Sequence, residues 1–190
     1  MGMRAKTTSP VDLPSGFDYQ PEFLSSEEEI GLVEIIQTLP FQAVKFQGYV
    51  AKRRIVSYGF NYDFGSRQTT ATEAIPAFLD GVRERAALWA GLQPADLQES
   101  IVSEYSPGTP IGWHRDAPQF EVIVGISLAA TCRMRLKPYS KEGKPLSVNL
   151  EPRSIYALRG LVRWQYQHSI PPVAALRYSI TFRTLREKGR

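Results

Sequence analysis

Histidine occurs only twice in this 190-residue chain, and the first copy stands two positions from an acid in Gly112-Trp113-His114-Arg115-Asp116. On a strand, residues two apart share a face, so His114 and Asp116 would address one ion while Arg115 points away. His168 lies 52 positions beyond Asp116 and follows Trp164-Gln165-Tyr166-Gln167 on another predicted strand. Two imidazoles and a carboxylate on one side of an ion form the facial arrangement of non-haem Fe(II) oxygenases, which leaves positions open for reactants. Zinc hydrolysis can use the same donors, so ligand identity alone leaves the metal open. The plainer alternative makes His114 a turn cap and His168 a satisfied core residue.

A second chemical signal is Leu176-Arg177-Tyr178-Ser179-Ile180-Thr181-Phe182-Arg183. Strand alternation puts Tyr178, Ile180 and Phe182 on one face and Arg177, Ser179, Thr181 and Arg183 on the other. A wet polar face is common on antiparallel strands. Turned inward, the arginines would need an anion, because an unpaired buried guanidinium is costly. Strand rise separates them by about 20 Å, and leaning side chains narrow the gap to about 8 Å, room for a short dicarboxylate. Arginine's planar fork grips a carboxylate through two bonds, and Ser179 and Tyr105 could add neutral ones at one end.

These residues need a scaffold that brings distant strands together. From Ile101 onward, short β segments alternate with turns, at 120–128, 131–137, 146–150, 154–158, 163–169 and 176–184. That rhythm predicts an antiparallel barrel or jelly roll. Ahead of it, Ser26 as N-cap with Glu29 at the third helical position predicts a helix to about Thr38, stopped by Pro40. A second helix starts near Pro76, shares Leu79, Val82, Ala86 and Trp89 on one face, and ends around Gly91. Between them, 41–64 is rich in aromatic and basic residues: Phe46, Tyr49, Lys52, Arg53, Arg54, Tyr58, Phe60 and Tyr62, with Gly48 and Gly59 as turns. The fold class is α+β, a jelly-roll core with N-terminal helices packed outside it. The expected organisation is a flexible tail over 1–15 and a single domain over 16–190.

Composition fits this picture: 43% hydrophobic, 22% charged and 11% aromatic residues suit one globular core. The apolar run Val122 to Leu128 is too short to span a bilayer, and residues 1–16 lack the apolar stretch of a secretory signal. The single Cys132 excludes an internal disulfide and fits a reducing compartment, hence an expected cytoplasmic location. Its place in an alternating segment makes it a strand residue before a catalytic thiol. A net charge of +4 with pI near 9.2 modestly favours polyanionic partners.

Taken together, His114-x-Asp116, the distant His168 and the Arg177 to Arg183 strand resemble the AlkB family of Fe(II)/2-oxoglutarate dioxygenases. Glu104-Tyr105-Ser106-Pro107-Gly108 and Ile126-Ser127-Leu128 also look like that family, so the core match spans roughly 100 to 185. The resemblance implies a double-stranded β-helix with His114, Asp116 and His168 on iron. Arg177 would grip the distal carboxylate of 2-oxoglutarate, assisted by Tyr105 and Ser179, and Arg183 would lie near the end that chelates iron. Oxidative decarboxylation with dioxygen would give succinate, carbon dioxide and an oxidant for an unreactive C–H bond. Members that repair nucleic acids hydroxylate an N-methyl group, which leaves as formaldehyde.

By the same resemblance, 41–64 sits where the family has its substrate-recognition lid. Tyr58, Phe60, Trp113 or Phe120 would wall a slot for a flipped base, and Lys52, Arg53 and Arg54 would meet phosphate. The chain departs from the founding bacterial members at Ser103, where they have asparagine, and at Pro118, where they have an acid that reads the base. Glu121 resembles an acidic position of other homologues and is a second candidate for a substrate hydrogen bond. The leading expectation is a monomeric demethylase of alkylated DNA or RNA with no membrane partner. The alternatives are the same chemistry on a protein, lipid or small molecule, and a non-catalytic nucleic-acid or metabolite binder.

Overall fold

The structure is a computed structural model that describes residues 13–46, 49–63, 68–140 and 144–186. The chain opens with β1 (Phe17–Gln20) and α1 (Ser26–Ile36), then β2 (Gln42–Phe46), β3 (Tyr49–Tyr58), β4 (Phe60–Asp63) and β5 (Gln68–Ala71). After α2 (Asp80–Ala90) come β6 (Leu97–Tyr105), β7 (Ile111–His114), β8 (Phe120–Leu128), β9 (Cys132–Pro138), β10 (Leu146–Leu150) and β11 (Ile155–Leu158). The chain closes with α3 (Gly160–Gln165), β12 (Tyr166–Ile170) and β13 (Arg177–Leu185). A seven-stranded sheet in the order β1-β11-β8-β13-β6-β3-β2 faces a four-stranded sheet in the order β10-β9-β12-β7. Every pairing is antiparallel, as expected of a double-stranded β-helix.

Alternation along the large sheet sorts its side chains into two cores. Val102, Val124, Ile126, Leu128, Tyr178, Ile180 and Phe182 face the helices, where they meet Ile36, Leu79, Val82 and Ala86. The other face turns toward the small sheet, whose Met134, Leu136, Val148, Leu150 and Ile170 complete the second cluster. The helices therefore back the large sheet and leave its inner face to the space between the sheets.

The helix ends show how local chemistry fixes the elements. The capping box is one residue earlier than expected: Ser25 is the N-cap and Glu28, not Glu29, occupies the third position. Glu28 closes the box by accepting from the Ser25 N–H at 2.8 Å, and it also pairs with Arg85 of α2. Such a cap contributes about 1 kcal/mol, and here it also ties the two helices together. The second helix begins as a 3-10 turn over Ala77–Leu79 and ends on Gly91, close to expectation.

Two segments differ from the sequence reading. The segment 163–169 is not all strand, because Trp164 and Gln165 finish α3 before β12 begins. In 41–64 the strands are not all short: β3 runs for ten residues and pairs with β6 inside the large sheet, while β4 and β5 form a two-stranded hairpin. Gly59 makes the break between β3 and β4 at φ +81, where a Cβ would collide with the Gln98 carbonyl. Residues 1–12 of the expected tail and Gly48 lie outside the described residues. Among the described residues no helix is long and apolar enough to cross a membrane.

Candidate active site

β7 ends at His114, and β12 places His168 directly opposite it. The two imidazoles lie with ring centroids 4.3 Å apart. Asp116 is not on the strand as expected: β7 stops two residues earlier and the acid sits on the following loop. It still reaches the pair, with Asp116 Oδ2 3.6 Å from His168 Nε2. Ligands about 2.1 Å from one metal and at right angles lie roughly 3 Å apart, so the Asp116–His168 pair stands slightly open. Among the described residues no three His, Cys, Asp or Glu side chains are grouped so as to hold a metal ion as they stand.

The donors are nevertheless in the protonation states a metal needs. Burial, with the neighbouring His114, pushes His168 down to about 3, and burial also holds His114 below its ordinary value. Both imidazoles are therefore neutral near pH 7. With its proton on Nδ1, His114 donates to the Gly112 carbonyl at 3.0 Å, which leaves Nε2 as the free donor. Burial alone would raise the Asp116 carboxyl, but Arg183 and the two imidazoles hold it well below the usual carboxylate range.

Inward from the donors runs a strip of small and polar side chains on the inner face of the large sheet. Ser179 lies opposite Ser103 on one side and Ser127 on the other, while Thr181 lies beside Gly125. Gly125 is required there because the Tyr156 ring occupies the space a Cβ would take. Arg177 closes one end of the strip. It is buried to 1% exposure, donates from Nε to Ser127 Oγ at 3.2 Å, and stacks over the Tyr105 ring at 4.8 Å. Its Nη1 has no partner and is sealed from solvent. Burial would raise the Tyr105 phenol, but Arg53, Arg177 and a Ser179 hydrogen bond outweigh it and lower the pKa. A sealed, unsatisfied guanidinium N–H is the feature a carboxylate ligand would relieve.

Arg183 closes the other end, beside the donors. Its Nη1 donates to Glu99 Oε2 and its Nη2 to Asp116 Oδ1, both at 2.8 Å, so two carboxylates already hold it. Only its buried Nε is without a partner. Both arginines thus face inward, and the wet-face alternative is excluded.

The candidates for a substrate slot scatter. Tyr58 is buried against the helices on the far face of the large sheet, not beside the donors. Trp113 also faces away, since it alternates with His114; Arg135 and Lys137 cover its ring at 5.0 and 4.6 Å on the outer face of the small sheet. Phe120 is buried beneath Arg183, 5.3 Å from its guanidinium, and is core rather than an open wall. Glu121 is engaged by Trp164 Nε1 at 3.1 Å and by Arg186 at 3.7 Å. Arg54 pairs outward with Glu104 at 2.7 Å, whereas Arg53 turns inward to the Tyr105 hydroxyl and lies near His114. Phe60 is half-buried at the start of the β4–β5 hairpin.

Three inner residues carry no sequence signal of their own. Glu99 and Tyr156 become visible only through register, opposite Arg183 and Gly125. Arg163 of α3 is buried and donates from Nη2 to the carbonyls of Ala117 and Phe120, both at 2.7 Å. It thereby braces the loop that carries Asp116.

Fold and site define a class. The family model described as the 2OG-Fe(II) oxygenase superfamily matches residues 17–183, and the chain belongs to that superfamily. Fe(II) is therefore its metal, and 2-oxoglutarate and dioxygen are its cosubstrates. Within that class its relatives are AlkB-like. It is 27% identical over 188 residues to "Alkylated DNA repair protein ALKBH8 homolog" of Arabidopsis thaliana, a match covering 86% of this chain and 52% of the relative. It is 30% identical over 154 residues to "Alpha-ketoglutarate-dependent dioxygenase alkB homolog 7, mitochondrial" of Bos taurus, covering 80% and 65%. The chain thus spans about half to two thirds of the length of these relatives. Among solved structures, OsALKBH1 superposes with a TM-score of 0.74 at 17% identity, over 90% of this chain and 98% of that one. A prolyl-4-hydroxylase of Pseudomonas putida gives 0.61 at 15% identity, over 90% and 93%. At such identities the likeness is one of fold.

Proposed function

We propose that the chain demethylates alkylated bases in DNA or RNA, with His114, Asp116 and His168 holding iron and Arg177 anchoring 2-oxoglutarate. The observation that carries the cosubstrate assignment is the sealed, unpartnered Nη1 of Arg177 at one end of a strip of small side chains. The neutral imidazoles and ionised Asp116 at the other side fit a divalent metal. Arg177 and Tyr105 would fix the distal carboxylate, which sets the cosubstrate's orientation before reaction. Ser103, Ser179 and Ser127 would leave room for its chain, and Tyr156, seated on Gly125, would wall the strip. When bound, the iron, 2-oxoglutarate and dioxygen supply oxidation of an N-methyl C–H bond, and the hydroxymethyl product releases formaldehyde.

The nucleic-acid assignment draws on two things. One is the name of the Arabidopsis relative, an alkylated DNA repair protein. The other is the outer face of the small sheet, where Arg133, Arg135 and Lys137 alternate along β9, the last two over Trp113, with no carboxylate partner among the described residues. Unpaired cations interleaved with an aromatic ring suit a phosphodiester backbone. Incubation with methylated oligonucleotides, iron, ascorbate and 2-oxoglutarate should remove methyl groups by mass spectrometry and release formaldehyde. No methyl loss from any lesion, in a protein that still turns over 2-oxoglutarate, rejects the substrate.

A second reading keeps the chemistry and acts on a protein, lipid or small molecule. It is favoured by the slot candidates themselves: Tyr58, Trp113 and Phe120 do not wall the site, which leaves Phe60 as the aromatic candidate near the lid.

A further inference from the structure

Glu99 has no place in the chemistry so far, yet it is buried to 2% exposure at the end of the inner strip. Register sets it opposite Arg183, whose guanidinium links it to Asp116 through two bonds of 2.8 Å. We propose that Glu99 is a positioning residue for the metal centre: it restricts Arg183 to one oxygen of Asp116 and so keeps the other oxygen for iron. The inference rests on the proposed ligand set of His114, Asp116 and His168.

The geometry supplies the reason. A guanidinium that faces a lone carboxylate prefers to engage both of its oxygens through parallel N–H bonds. Such a fork on Asp116 would occupy Oδ2, the oxygen that now lies 3.6 Å from His168 Nε2. Glu99 takes the Nη1 edge of Arg183 and leaves only Nη2 for Asp116 Oδ1. Charge points the same way. Glu99 and Asp116 share the one guanidinium of Arg183 at 2.8 Å each, so Arg183 only partly neutralises Asp116. An uncompensated buried charge is costly, and a divalent cation at the donors compensates it. For mere packing, a neutral side chain at position 99 would serve Arg183 at lower cost.

The test is Mn(II) binding, followed by electron paramagnetic resonance and calorimetry without oxygen, in the full chain and in Glu99→Ala, Glu99→Gln and His114→Ala. Supporting residues of this kind alter metal affinity by roughly 10- to 100-fold. Glu99→Ala should weaken Mn(II) by that factor while the metal-free melting temperature stays near that of the parent. Glu99→Gln, which still accepts from Arg183 but lacks the charge, should fall between. A purely structural role would lower the metal-free melting temperature and leave Mn(II) affinity in the folded protein unchanged, which overturns the proposal. Should Glu99→Ala fail to fold, Glu99→Gln decides alone, and parental affinity overturns the proposal. If His114→Ala loses Mn(II) and the Glu99 variants keep it, only the role of Glu99 falls. If His114→Ala binds as tightly as the parent, the ligand set falls and the role of Glu99 with it.

Discussion

Substituting Met for Arg177 separates what this side chain does for the fold from what it does for the cosubstrate. Without ligand, the guanidinium is fully buried with a 3.2 Å bond to Ser127, a stack on Tyr105 and no carboxylate partner among the described residues. A buried cation without a counter-charge is expensive, so an apolar side chain of similar length should leave the ligand-free melting temperature unchanged or higher. Binding should respond in the opposite sense. The free Nη1 can give a carboxylate two charge-assisted bonds of about 1.5–3 kcal/mol each, so their loss weakens 2-oxoglutarate by roughly 10²- to 10⁴-fold. At 2-oxoglutarate 100 times the parental Kd, the parent gains about 2.7 kcal/mol and the variant less than about 0.5. Thermal melts at fixed Mn(II) over a 2-oxoglutarate titration read both quantities at once. A variant that keeps the parental ligand shift, or that melts far lower without ligand, refutes the assignment of Arg177.

Metal-free protein should lose stability on acidification. Both imidazoles titrate below their ordinary 6.5 when folded, so the unfolded chain takes up protons first. Stability is thus complete above about pH 6.5 and lost as pH falls toward about 3, the folded value of His168. Melts between pH 8 and 4 check this, and a flat profile contradicts it. Gly125→Ala should destabilise by about 1–3 kcal/mol, because its methyl group meets the Tyr156 ring; chemical denaturation should show the loss, and adding Tyr156→Ala should recover much of it. Arg163→Met should remove the bonds to the Ala117 and Phe120 carbonyls, at a cost of about 1–3 kcal/mol, and should weaken Mn(II) in calorimetry by loosening the Asp116 loop. Arg135→Ser with Lys137→Ser should weaken oligonucleotide binding at low salt and reduce the salt slope by about one per phosphate contact, read by fluorescence anisotropy.

The sequence made the chemistry legible where it rests on residue type and short spacing. Scarce histidines and one His-x-Asp isolate the donors, and period-two alternation places Arg177 and Arg183 on a common face, which is how they lie. Register is long-range information, and that is where the reading failed. Glu99 acquires meaning only opposite Arg183, and Tyr156 only over Gly125. Aromatic content likewise could not reveal the face of the sheet: Tyr58 and Trp113 have the composition of a base slot, but strand alternation turns both away. The helix cap slipped by one residue because Ser25 and Ser26 are adjacent and both precede acids.

The positions of metal and cosubstrate are the most direct test of the proposed site. A crystal structure of the full chain with Mn(II) and 2-oxoglutarate should show the metal on His114 Nε2, His168 Nε2 and Asp116 Oδ2, with Arg183 still on Oδ1 and the distal carboxylate on Arg177. A metal held elsewhere, or a 2-oxoglutarate whose carboxylate lies away from Arg177, contradicts it.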